Sequence, residues 1–163
     1  MNLIEEMVTS LLRRHKDGGT EYFNALDKTI GDTLGLVSML LFSVPFYRPI
    51  AMQGKFGNTV HELLASWNIE HMWPGFVHLV SSPRQEEEAE MVHYGVLDTN
   101  PIFIDDSTYS GATIEGVDNV LEKQFGLNVH KTHVIYDGSP PWKKNSVSSL
   151  YRFYDYCPNR KDK

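Results

Sequence analysis

Two adjacent aspartates, Asp105 and Asp106, end an apolar run and open a stretch of hydroxyl-bearing and small residues. The segment reads Pro101-Ile102-Phe103-Ile104-Asp105-Asp106-Ser107-Thr108-Tyr109-Ser110-Gly111-Ala112-Thr113. Side by side, two carboxylates repel each other unless hydroxyl donors or a cation accompany them. Ribose hydroxyls or hydrated Mg²⁺ would supply either. The small residues that follow let backbone N–H groups approach an anion closely, and the next helix adds its positive end. Thr108, Ser110 and Thr113 can add hydroxyl donors. One segment thus offers acceptors for a sugar and donors for a phosphate, and a sugar phosphate is the simplest ligand that needs both. A plain strand-to-helix turn with an Asp N-cap explains one carboxylate, but not two together with the whole run. Neither G-x-G-x-x-G nor G-x-x-x-x-G-K-[ST] occurs anywhere in the chain.

The acids need a strand behind them and a helix in front. Residues 102–104, apolar and rich in β-branched side chains, read as a central strand that ends at Asp105. A helix follows over 112–125, with Gly126 as its C-cap. Upstream, Leu3, Ile4, Met7, Leu11 and Leu12 recur at helical spacing until Gly18-Gly19. The basic turn 13–16 reads as a solvated helix end in preference to a phosphate patch. A second helix starts at Asp32 or Thr33 and runs to about Ser43. Residues 48–53 then read as a strand, 54–58 as a tight loop, 59–67 as a helix and 75–81 as a strand. Residues 83–90 are charged, contain nothing to bury and read as mobile. Short strands are expected over 91–97, 128–136 and 150–156, with a turn at 137–141 and a frayed polar tail from 159. Strands alternating with helices predict an α/β fold: an open, mostly parallel twisted sheet with helices on both faces. In such sheets ligands collect at the carboxyl ends of the strands, where Asp105 and Asp106 would lie.

The 163 residues are 41% hydrophobic and 12% aromatic, enough for one core and one domain. Within it, 1–31 supply an N-terminal helix and lead-in. Residues 32–136 form the α/β core, and 137–163 supply a turn, the last strand and a tail. The formal charge of −6 argues against a protein that coats nucleic acid. It does not exclude a phosphorylated ligand, since backbone amides and a metal hold phosphate without net positive charge. Cys157 is the single cysteine, so no internal disulfide can form and a reducing, cytoplasmic setting is expected. The N-terminus carries acids where a signal peptide needs bases. The apolar run 33–46 is too short to span a bilayer, so no membrane is expected. The seven histidines are scattered. His130 and His133 on one strand would face opposite sides, which speaks against a zinc site. Trp67 and Trp73 read as core or interface, whereas Trp142 reads equally as core or as a base-stacking side chain. Lys143-Lys144 reads as a solvated turn. Arg48 either supports the loop beside it or faces water.

Residues 102–113 closely resemble the 5-phosphoribosyl-1-pyrophosphate (PRPP) loop of the type I phosphoribosyltransferases: an apolar strand, two acids, three variable residues, Thr-Gly, one residue, then Thr. Here the pattern reads FI-DD-STY-SG-A-T, with Ser110 for the usual Thr, and the element order agrees with the family over about 32–156. The resemblance implies that Asp105 and Asp106 are catalytic, hold the ribose hydroxyls and serve the metal, with Mg²⁺ as the cofactor. It implies that Ser107, Thr108, Tyr109, Ser110, Gly111, Ala112 and Thr113 wrap the 5′-phosphate. Gly54, Lys55, Phe56 and Gly57 occupy the place of the family's pyrophosphate loop. Residues 82–90 occupy that of its mobile loop, from which Arg84 would reach pyrophosphate. Tyr109, Tyr136 and Trp142 would lie beside the base. The implied activity is that of a pentosyltransferase: ribose 5-phosphate passes from PRPP to a nitrogenous acceptor such as a nucleobase, as in purine salvage within nucleotide metabolism. The implied partners are PRPP and a small acceptor, and often a second copy of the chain in a homodimer. The alternative is a catalytically inactive PRPP- or nucleotide-binding regulatory module. It draws on Tyr109, which stands where purine members often carry an acid, and on Lys55 as the sole cation of its loop.

Overall fold

The computed structural model describes residues 33–80, 91–108, 111–139 and 147–152. The expected N-terminal helix, the segment 82–90 with Arg84, Tyr109, Ser110, Trp142, Lys143, Lys144, Cys157 and the tail lie outside the described residues.

The first described element is helix α1 (Thr33–Phe42). Val37, Leu40, Leu41 and Val44 recur at helical spacing and are buried. The helix stops just short of Pro45, as expected before a residue that has no N–H and disfavours helical geometry in its predecessor. Strand β1 (Ile50–Gln53) passes directly into helix α2 (Gly54–Trp67). Residues 54–58, read from the sequence as a loop, are therefore the first turn of that helix. Gly54 alone absorbs the change of direction, at φ +59. From there Phe56, Thr59, Val60, Leu63 and Leu64 turn one face inward, and that burial outweighs the roughly 1 kcal/mol that a helical glycine such as Gly57 costs. Asn68, at φ 54, caps the far end with its backbone N–H.

After a short 3₁₀ turn, strand β2 (Gly75–Leu79) is buried throughout, and β3 (Met91–Gly95) runs antiparallel to it as an edge. Strand β4 (Ile102–Thr108) is longer than the apolar run predicted, so Asp105 and Asp106 lie inside the strand and not beyond it. The reason is pairing. The ladder to β5 continues through Ser107 opposite Tyr136 and Thr108 opposite Asp137, and backbone hydrogen bonding overrides the low strand preference of aspartate. Helix α3 (Ala112–Phe125) follows, and Gly126 at φ 66 caps it as expected. Strand β5 (Lys131–Asp137) starts later than periodicity predicted. The backbone N–H groups before it are already committed: Val129 donates to Asp118 Oδ1 at 2.6 Å and His130 to the Pro101 carbonyl at 2.8 Å. His130 thus precedes the strand and His133 sits within it. Strand β6 (Val147–Arg152) pairs parallel to β5, beginning before the predicted start at residue 150.

The six strands lie in the order β3-β2-β1-β4-β5-β6, parallel except for β3. Alternate residues feed two cores. On one face Ile50, Met52, Ile102, Ile104 and Ile135 meet α1 and α2. On the other, Ala51, Val77, Leu79 and Phe103 meet α3. The sheet is therefore open, mostly parallel and covered on both faces. Among the described residues no helix is long and apolar enough to cross a membrane.

Candidate active site at the carboxyl ends of β1 and β4

β1 and β4 are neighbours, yet the chain leaves them in opposite directions. From β1, α2 carries it to β2 over one face; from β4, α3 carries it to β5 over the other. Such a border is a topological switch point, the crevice where open α/β sheets take their ligands. Both acids lie here. Asp105 is 4% exposed and Asp106 is 8% exposed.

A buried carboxylate needs donors. Asp105 Oδ1 accepts the backbone N–H of Asp106 at 2.9 Å, and its Oδ2 accepts Gln53 Nε2 from the end of β1 at 3.5 Å. Asp106 Oδ1 accepts the backbone N–H of Ser107 at 2.8 Å and its Oγ–H at 3.4 Å. Strand alternation turns Asp105 toward the α3 face, with Phe103, and Asp106 toward the α1/α2 face, with Ile104. The two carboxylates therefore lie on opposite faces of the same stretch of β4, beside the step where β1 has left the sheet at Gln53 and β4 runs on to Thr108.

Two helix starts flank that step. Gly111, at φ 81, is the N-cap of α3, and Gln53 is the N-cap of α2; neither makes a side-chain capping hydrogen bond. Each start brings the positive end of its helix dipole to the carboxyl end of the strand before it. Ser107, Thr108, Gly111, Ala112 and Thr113 lie between the acids and the first turn of α3. Across the step, Lys55 is exposed on the first turn of α2, whereas the Phe56 side chain is 5% exposed and belongs to the core. Of Phe56 only the main chain is left for a ligand. Tyr136 stands opposite Ser107 in the β4–β5 ladder.

At the end of β5, Asp137 Oδ1 accepts both the backbone N–H and the Oγ–H of Ser139, at 2.9 and 2.6 Å, while Gly138 N–H donates to the Thr108 carbonyl. That turn begins where the sequence expects one, at 137–141, and joins the rim of the site. Sequence reasoning passed over Gln53 and His78. A polar residue at the last position of the apolar strand IAMQ was the available signal for Gln53, and a polar residue inside the apolar strand GFVHL was that for His78.

No family model and no curated protein matches the sequence. Among solved structures, the chain is similar to an orotate phosphoribosyltransferase from Aeropyrum pernix. That match has 16% identity over 81% of this chain and 81% of the other, with a TM-score of 0.50. The fold is that of the type I phosphoribosyltransferases. A xanthine-guanine-hypoxanthine phosphoribosyltransferase from Helicobacter pylori matches at 15% identity over 77% and 82% of the two chains, with a TM-score of 0.45. A purine phosphoribosyltransferase from Pyrococcus horikoshii matches at 18% identity over 73% and 78%, with a TM-score of 0.43. In this phosphoribosyltransferase fold the acidic step between β1 and β4 is the carboxyl-end crevice of the sheet.

Proposed function

We propose that the protein is a Mg²⁺-dependent phosphoribosyltransferase that transfers ribose 5-phosphate from PRPP to a nitrogenous acceptor such as a nucleobase, releasing pyrophosphate. One observation carries this reading: two buried carboxylates at the switch point, with a helix start on either side. A ligand resting on the step above Gln53 meets acceptors in the middle and N–H donors at both ends. PRPP has that pattern, with hydroxyls on the ribose between a monophosphate and a diphosphate.

Asp105 and Asp106 accept hydrogen bonds from the ribose hydroxyls. As pyrophosphate leaves C1, positive charge develops on the sugar, and these fixed carboxylates stabilise it without reorganising. Amides of residues 107–113 hold the 5′-phosphate. Amides of the first turn of α2, with Lys55 and Arg84, hold the departing pyrophosphate. Tyr109, Tyr136 and Trp142 are the residues proposed to recognise the acceptor. Holding the acceptor nitrogen in line with C1 supplies much of the acceleration, and little proton transfer is asked of the protein.

Mg²⁺ commonly binds through one or two carboxylates together with substrate phosphates and water. Asp105 and Asp106 are the residues that would hold it, and when bound it neutralises charge on the leaving pyrophosphate.

The test is pyrophosphate release from PRPP over a panel of nucleobases, with and without Mg²⁺, using Asp105→Asn and Asp106→Asn as controls. Each substitution is expected to slow turnover about a hundredfold, equivalent to roughly 3 kcal/mol. Turnover unchanged in both variants refutes the roles given to the acids. Binding of PRPP with no turnover on any base identifies a regulatory binding module in place of an enzyme.

A further inference from the structure

We propose that His78 is a positioning residue for the pyrophosphate end of the site: from beneath, its imidazole fixes the first turn of α2 on the carboxyl end of β1. The proposal rests on the assignment of residues 54–57 to pyrophosphate made above, and it concerns what holds that turn in place.

His78 stands on β2 opposite Met52 of β1, on the face that α2 covers, and is 3% exposed. Its Nε2 lies 3.0 Å from the carbonyl oxygen of Gly54. A carbonyl can only accept, so Nε2 carries the proton and donates it. Gly54 is the residue at φ +59 where strand becomes helix, so the bond ties down the hinge of the turn itself.

The ring makes a second contact with the same turn. A Cβ placed on Gly57 would come within 2.5 Å of both Cδ2 and Nε2 of His78. Glycine at 57 is thus the counterpart of the imidazole, which fills the space a side chain there would take. Hydrogen bond and packing together clamp both ends of residues 54–57.

A clamp from below matters because the usual one is missing. The N-cap of α2 is Gln53, which makes no capping hydrogen bond and instead sends its amide to Asp105. With the cap residue committed to the acid, the side chain seen to anchor the hinge carbonyl of α2 is His78. An apolar residue would fill the same place in the strand GFVHL without the cost of burying an imidazole. That cost is visible in the histidine, whose pKa burial holds below its ordinary value.

Since His78 reaches the ligand only through the turn, its loss should weaken binding of the diphosphate end more than it slows chemistry. The test compares His78→Leu, His78→Gln and Gly57→Ala in the full chain. Glutamine sets an N–H donor at the reach of Nε2, leucine removes the donor, and alanine at 57 presses on the ring while leaving it present. In the ligand-free protein, amide exchange at Lys55, Phe56 and Gly57 is expected to quicken about tenfold in His78→Leu, the loss of one buried hydrogen bond, and to stay near wild type in His78→Gln. The same quickening at Lys55 and Phe56 is expected in Gly57→Ala, which decides the matter should His78→Leu fail to fold. With Mg²⁺–PRPP, KM is expected to rise about tenfold in His78→Leu and Gly57→Ala while kcat stays within about threefold, with His78→Gln close to wild type.

Unchanged exchange in both His78→Leu and Gly57→Ala overturns the proposal. So does a His78→Gln variant as impaired as His78→Leu, because the ring would then act by shape alone. A wild-type protein that neither binds nor turns over PRPP rejects the functional reading, while the exchange data still decide whether His78 holds the turn.

Discussion

The side-chain amide of Gln53 donates to the Asp105 carboxylate across the border between β1 and β4, at 3.5 Å. The bond links the strand that feeds α2 to the strand that feeds α3, at the border where the chain departs both ways. Replacing Gln53 with Ala removes a long and therefore modest hydrogen bond. The expected result is a rise of about threefold in KM for PRPP, with a melting temperature near that of wild type. Steady-state kinetics and a thermal melt check it; an unchanged KM would show that the bond from Gln53 plays no part in orienting Asp105.

Gly54 separates conformational cost from packing cost. A Cβ at this position has nothing within 4 Å, so only the backbone, at φ +59, objects to a side chain. Gly54→Ala is expected to destabilise the fold by about 1–2 kcal/mol, and Gly54→Asn by less, because asparagine tolerates the left-handed region better. Urea unfolding measures both. An alanine variant as stable as wild type would mean that the turn rearranges freely.

Stability should fall on mild acidification. His133 is buried, and its Nδ1 lies 2.8 Å from Ser43 Oγ. That hydroxyl donates to the Leu40 carbonyl, so the imidazole is the donor in the pair. Burial, and then the charge of Lys131, hold the His133 pKa below the ordinary value of 6.5. His78 is shifted the same way, by burial first. An imidazole that is harder to protonate in the folded chain leaves the unfolded chain with more bound protons. Its contribution is therefore complete above about pH 6.5 and is lost as pH falls below that value. Melting temperatures between pH 8 and pH 5 are expected to show this decline, and His133→Asn, which can keep a donor, should flatten it. An identical slope in the variant would assign the decline to other groups.

Phe103 lies fully buried two residues before Asp105 and packs in the core beneath α3. Phe103→Ala should cost about 3–5 kcal/mol of stability. With the strand loosened under the acids, turnover should fall at temperatures where the variant is still folded. Circular dichroism alongside the pyrophosphate assay separates the two effects, and full activity in a destabilised variant would show that the site tolerates a cavity below it.

Local chemistry already legible in the chain accounts for the α/β class, the helix over Ala112–Phe125 with its Gly126 cap, and the two acids followed by small hydroxyl-bearing residues. Apolar periodicity and capping act over a few residues, so they can be read without the fold. Tertiary pairing decided the rest. It drew Asp105 and Asp106 into β4, because β5 offered partners as far as Asp137. It made residues 54–57 a helical turn, because one positive-φ glycine and a buried face suffice where composition alone suggests a loop. And it brought Gln53 to Asp105, and His78 to Gly54 and Gly57, contacts between residues far apart in sequence. Such contacts depend on which strands lie side by side, and strand order is a property of the whole sheet that no local run of residues encodes.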